Sequence, residues 1–188
     1  MPELMIDVIT SLEGCTSAEG WPGLWGLGGP EYYEFLGQDQ VQSYTSLMGA
    51  TTYRLFTGFM ESGQEDMGGL TDVDKVVFSS TLEEPLTWAN TRLVRGDAVE
   101  AVREMKQNSD RNLRTIGSLS LVRALLTAGL VDRFRVVVFP VVTGKSGREP
   151  FYAGWPDVAL ETVDHRTFDG RLQMMEYVPT ILEGPPPS

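Results

Sequence analysis

Three short stretches of the chain put small or hydroxyl residues where an apolar run stops: Gly49-Ala50-Thr51-Thr52, Ser79-Ser80-Thr81 and Gly117-Ser118-Leu119. The chemistry these residues offer is anion binding. Glycine lets a backbone come close to a ligand, hydroxyls donate O–H, and a helix start presents unpaired N–H groups with a partial positive charge of roughly half a unit. Glycine and serine are also the ordinary residues of turns and caps, so any one stretch alone reads first as structure. Three strand ends of this kind point to a dinucleotide site at the carboxyl edge of an α/β sheet.

The elements that must hold these corners follow from periodicity and punctuation. Leu4 to Leu12 is a mostly apolar, β-branched run ending at Glu13-Gly14, the pattern of a buried first strand. Cys15 to Tyr33 carries glycines, prolines and two tryptophans without period, which reads as a long loop. A helix is expected within Glu31 to Gln42, a short strand over Ser43 to Met48, and a helix over Thr51 to Phe59. Lys75 to Ser79 is a buried-strand pattern and Thr91 to Arg95 a weaker one. Asp97 with Glu100 forms a capping signature before a helix whose Ala98, Ala101, Val102 and Met105 share a face. Arg114 to Ile116 reads as a strand, Ser118 to Ala128 as a helix ended by Gly129, and Phe134 to Val142 as a long buried strand. Val158 to Arg166 and Arg171 to Val178 flank an Asp169-Gly170 turn and make a hairpin. Alternating strands and helices followed by a hairpin imply a mixed, mostly parallel sheet with helices on both faces.

Composition narrows the partners. The 188 residues fit one domain over 1–180, with the EGPPPS end as a disordered Pro-rich tail. The net charge of −11, with 15 scattered basic residues, lacks the footprint of a nucleic-acid binder. There is neither a signal-like amino terminus nor an apolar run near the roughly 18 residues of a membrane span, so a soluble, cytoplasmic protein is expected. One cysteine and one histidine leave no disulfide and too few ligands for an ordinary zinc site, so no metal is expected.

Taken in order, several segments resemble the dihydrofolate reductase-like family, and in particular the reductase domain of bacterial bifunctional deaminase-reductases of riboflavin biosynthesis. They are SLEG at Ser11 to Gly14, MGATTY at Met48 to Tyr53, VVFSSTL at Val76 to Leu82, LVRGDAVEAVREMK, the run IGSLSLVRALLTAGLVDRFRVVVFPVVTGK from Ile116, and FYAG. The resemblance spans about Leu4 to Val178, and the run from Ile116 to Gly144 is its most specific part. It implies a three-layer fold with a sheet of about eight strands and NADPH lying across the carboxyl edge. By that carry-over Gly49, Thr51 and Thr52 contact the pyrophosphate, Ser79 and Ser80 the adenosine ribose or its phosphate, and Gly117, Ser118 and Leu119 the nicotinamide half. The Gly117-Ser118 bond is then a candidate for a cis peptide. The family's usual arginine after the glycine is Ala50 here, which leaves NADH open as an alternative cofactor.

The implied activity is hydride transfer from nicotinamide to a small heterocyclic or ribosyl substrate, with NADPH and that small molecule as partners. The alternative is a nucleotide-binding or regulatory protein that keeps the fold without turnover. Such a transfer needs a proton source, and Glu13 is the candidate catalytic acid if burial raises its pKa; its other reading is a solvated turn residue. Trp21 and Trp25 either cover a planar substrate or plug the edge of the core. Tyr53 and Phe56, at helical spacing, read as core. Gly144-Lys145-Ser146 lacks the spacing of a phosphate-binding P-loop, and Thr143 to Arg148 reads as a hairpin or substrate loop. His165 reads as structural. No deaminase zinc motif is present. The strand from Phe134 and the terminal hairpin fit a homodimer, and a buried central strand accounts for the same run.

Overall fold

The computed structural model describes residues 1–40, 44–62 and 70–185. In chain order the elements are β1 (Leu4–Thr10), β2 (Cys15–Ala18), a 3-10 helix (Gly23–Gly26), α1 (Pro30–Gln40), β3 (Thr45–Gly49), α2 (Ala50–Glu61), β4 (Lys75–Phe78) and β5 (Thr91–Val94). They continue with α3 (Ala98–Asn108), β6 (Leu113–Thr115), α4 (Leu119–Thr127), β7 (Arg133–Val138), β8 (Gly147–Pro150), β9 (Val158–Phe168) and β10 (Leu172–Ile181).

Eight strands form one sheet in the order β5-β4-β3-β6-β1-β7-β10-β9. Every pair from β5 to β7 is parallel, and β10 runs antiparallel to both β7 and β9. Alternation along the strands divides the core between two faces, as the period of two requires. Leu47 and Val136 face a cluster with Val102 of α3 and Leu121, Leu125 and Leu126 of α4. Their neighbours Met48 and Val137 face the other way, Met48 toward Tyr53 of α2 and Val137 toward Tyr32 of α1. Helices thus cover both faces, giving the three-layer α/β architecture expected from the alternation.

Local chemistry explains the element boundaries. Asp97 caps α3, its carboxylate accepting from Val99 N at 2.8 Å and Glu100 N at 3.3 Å. The start of α1 is capped from afar by Asp169 of the β9-β10 turn, which accepts from Glu31 N at 3.1 Å and Tyr32 N at 3.3 Å. Lys75 is buried at the start of β4, where its ammonium donates to the carbonyls of Leu70, Thr71 and Val73 at 2.6, 3.1 and 2.6 Å and lies 4.8 Å from the centre of the Trp88 ring. Those three bonds use all the donors of the ammonium and tie the chain ahead of β4 to the strand.

Three expectations need correction. The Cys15 to Tyr33 loop contains β2, which pairs antiparallel with β8 through Cys15↔Pro150, Ser17↔Arg148 and Ala18↔Gly147. The Thr143 to Arg148 loop accordingly runs into a strand. β7 stops at Val138 instead of reaching Val142, because Pro140 has no N–H to continue the ladder. Residues 41–43 of the expected helix and strand, and 186–188 of the expected tail, lie outside the described residues.

Candidate functional site

Because β4, β3, β6 and β1 are adjacent and parallel, the segments that follow them all emerge at one edge of the sheet. The corners after β3 and β6 touch. Gly49 N donates to Gly117 O at 3.2 Å, and Ile116 N to Leu47 O at 3.0 Å. The space between them is tight, so that a larger residue would require a neighbouring hydroxyl to move. A Cβ on Gly49 would lie 2.5 Å from Ser118 Oγ, and one on Gly117 would lie 2.5 Å from Thr52 Oγ1. Gly117 also has φ +118, in the region that favours glycine, and the Gly117-Ser118 peptide is cis. The glycines therefore let two corners pack on each other, a role more specific than the general permissiveness read from the sequence.

This contact brings two helix starts side by side. Gly49 is the N-cap of α2 and Ser118 the N-cap of α4, and neither gives a side-chain bond to its first turn. Ser118 Oγ instead meets Ser120 Oγ at 3.1 Å. The first-turn N–H groups have no intrahelical partner, so residues 50–52 and 119–121 present two sets of donors, reinforced by both helix dipoles. Thr51 is exposed, and Thr52, Ser118 and Leu119 are half-buried. A cradle of paired helix starts with glycine at its contact point suits a diphosphate.

The corner after β4 is built differently from the expectation. No helix follows it; the chain turns through residues 79–82. Ser79 Oγ accepts from Thr81 N and Leu82 N, both at 3.1 Å, which makes the turn self-capping. Two arginines that the sequence reading passed over reach this turn. Arg54 of α2 donates from Nη2 to Thr81 Oγ1 at 3.2 Å, and Arg95, directly after β5, donates to Ser80 O at 3.4 Å and Leu82 O at 2.7 Å. A usable signal existed for the first: Arg54 lies four residues after Ala50, one turn along the same helix face.

At the β1 end, Glu13 is exposed, and its carboxylate accepts from Thr143 N at 2.6 Å and from the Thr143 hydroxyl. The hydroxyl bond is the main reason its pKa is held down to about 2 from an ordinary 4.5. The condition for Glu13 as a general acid, a raised pKa, is not met: the group is an ionised clamp between the β1 turn and the loop after β7. Leu12 N, donating to Val141 O at 2.9 Å, reinforces the same link.

Trp25 is buried against Phe139 with ring centres 5.3 Å apart and plugs the core edge, whereas Trp21 stays 43% exposed. Tyr53 and Phe56 pack around Trp88, as core residues. His165 is exposed on β9, where its backbone N donates to Asp164 Oδ1 at 2.8 Å, so it fills no core position.

The order of the strands, the cis Gly117-Ser118 bond and the paired glycines now stand together. The chain belongs to the RibD C-terminal domain family, whose model matches residues 2–174. It is 25% identical over 182 residues to the uncharacterized protein YyaP of Bacillus subtilis (strain 168), covering 93% of each chain. Among solved structures it is similar in fold to a putative riboflavin biosynthesis protein of Shewanella sp. PV-4, with a TM-score of 0.72 at 16% identity over 95% of this chain and 99% of that one. A pyrimidine reductase-like protein of Corynebacterium diphtheriae gives 0.70 at 14% identity over 95% and 92%. One form of Acinetobacter baumannii RibD gives 0.68 at 16% identity, and there 96% of this chain spans 58% of the other. These likenesses establish the dihydrofolate reductase-like fold of RibD reductase domains. Among the described residues no helix is long and apolar enough to cross a membrane.

Proposed function

We propose that the protein is an NADPH-dependent reductase acting on a small heterocyclic or ribosyl substrate, in the manner of the reductase that acts on 5-amino-6-(5-phosphoribosylamino)uracil. The observation that carries this reading is the contact of Gly49 with Ser118 and of Gly117 with Thr52, which unites two helix starts into one cradle. Gly49, Thr51 and Thr52 are assigned to the pyrophosphate, Ser79 and Ser80 to the adenosine ribose and its phosphate, and Gly117, Ser118 and Leu119 to the nicotinamide half. When bound, the reduced nicotinamide supplies a hydride to a carbonyl or imine carbon, and the heteroatom takes up one proton. The protein's part is to position the two reactants through its backbone donors and to keep the β1 and β7 loops together through Glu13 and Thr143. Glu13 is ionised at neutral pH and holds no proton to give.

Ala50, standing where the family usually has arginine, favours a second reading, a nucleotide-binding protein of the same fold without turnover. Titration of the purified protein with NADPH and NADH, followed by an assay of cofactor oxidation with phosphoribosylaminopyrimidines, separates the two. Binding with oxidation supports the reductase, binding without oxidation across a broad substrate panel supports the second reading, and no binding of either nucleotide ends both.

A further inference from the structure

The chain between β2 and α1 turns on a strained backbone. Leu24 (φ 53, ψ 26) and Trp25 (φ 48, ψ 21) both stand in the left-handed region, and Gly26 follows at φ +67. Single residues visit that region, but consecutive bulky ones are disfavoured at each position, because Cβ crowds the next carbonyl. Trp25 carries a second cost. It is 5% exposed, and among the described residues its buried indole N–H has no hydrogen-bond partner.

Only apolar contacts offset these costs. Among the described residues no backbone hydrogen bond ties residues 22–28 to another element; Leu27 N donates within the turn, to Leu24 O at 2.9 Å. The turn is held by its side chains, Trp25 above all, whose ring lies 5.3 Å from that of Phe139 in a cluster with Tyr32 of α1. Gly23 and Gly26, on either side of the pair, are exposed and can absorb a change of backbone. Stored strain at a loosely tied turn points to a second arrangement with a use.

The place of the turn says what that use is. Phe139 N donates to Thr10 O at 2.8 Å, so the indole rests at the carboxyl end of the β1–β7 pair. The Gly117 corner, assigned to the nicotinamide half, follows β6 on the other side of β1, about 10 Å away at two strand spacings. A planar substrate within the roughly 3.5 Å that hydride transfer allows must therefore lie over the end of β1, up against Trp25.

We infer that the 24–26 turn is a built-in plug: the indole, itself a flat heterocycle, fills the place of the substrate ring against Phe139 and swings out to admit that ring. Departure releases the strain at Leu24 and Trp25 and gives the indole N–H a partner in water, while the substrate takes over the contact with Phe139. The inference rests on the reductase reading and deepens it, since only a flat ring with an apolar face can replace an indole there.

The test is hydrogen exchange of the indole N–H groups in the full chain, read by NMR. Trp88 is the control: it is 1% exposed with its N–H equally unpartnered, on a backbone outside the left-handed region. The two signals are assigned through Trp25→Phe and Trp88→Phe, or sequentially should a variant not fold. Trp25 is expected to exchange about a hundredfold or more faster than Trp88, through opening of its turn alone. Equal rates overturn the inference. Adding NADP+ and 5-amino-6-(5-phosphoribosylamino)uracil should then shift the Trp25 signal and expose it to a soluble gadolinium chelate, with Trp88 unmoved. A Trp25 signal that stays protected while the same compound is turned over with NADPH overturns the plug and leaves the reductase reading intact; a protein that binds neither NADPH nor NADP+ ends both.

Discussion

The amide of Gly49, at the end of β3, donates to the carbonyl of Gly117, beyond the end of β6, across 3.2 Å. This single bond joins two strand ends that are 68 positions apart in numbering and sets the start of α2 beside that of α4.

Substituting the two glycines separates steric from backbone effects. Gly49 has an ordinary φ of −89, so Gly49→Ala is disfavoured by contact with Ser118 alone, and the Gly49→Ala/Ser118→Gly pair should recover most of the lost stability. Gly117 has φ +118, so Thr52→Ala should rescue Gly117→Ala only in part, leaving a deficit of roughly 1–3 kcal/mol. Chemical denaturation of the singles and doubles measures this; full rescue at both positions would contradict the backbone argument.

Glu13→Gln probes the clamp on Thr143. A carboxylate whose folded pKa lies below its ordinary value stabilises above that ordinary value and loses the contribution as it is protonated. The melting temperature of wild type should exceed that of the variant at neutral pH, and the gap should close as pH falls from about 5 to about 2. A reductase pH profile should keep its neutral limb in Glu13→Gln; loss of that limb would restore Glu13 as a proton donor.

Ala50→Arg adds a third cation beside the cradle. NADPH should bind more tightly, by about threefold to tenfold, with a smaller effect on NADH. Paired titrations decide it, and equal changes for the two nucleotides would place position 50 away from the phosphate.

Lys75→Met removes the ammonium and leaves the carbonyls of Leu70, Thr71 and Val73 buried or half-buried without their donor. A loss of about 2–4 kcal/mol in unfolding free energy is expected. A change below about 1 kcal/mol would show that water takes over the three bonds.

The elements were legible wherever a strand or helix announces itself locally. Lys75 to Phe78 and Leu119 to Thr127 carry their period in consecutive residues, and Asp97 carries its cap three residues ahead of Glu100. β2 and β8 were not legible, because four-residue strands without alternation owe their pairing to a partner more than a hundred residues away. The corners at Gly49 and Gly117 were found through their small residues, yet their contact with each other has no local signature. Arg95 was missed for the same reason, since nothing in its neighbourhood says that the turn after β4 lies within reach, whereas Arg54 had a local signal in its place one helical turn after Ala50. The ionisation of Glu13 depends on Thr143, 130 positions on, and only the folded chain brings the two together.

Strand β6 lies between β3 and β1, both of which precede it in the chain. A polypeptide emerging from the ribosome with only β1 to β5 complete thus holds two strands separated by a vacant lane, and the proposed nucleotide cradle lacks one wall. On the proposed function, coenzyme capture requires the chain through the start of α4, and any truncation ahead of β6 should abolish it outright rather than weaken it.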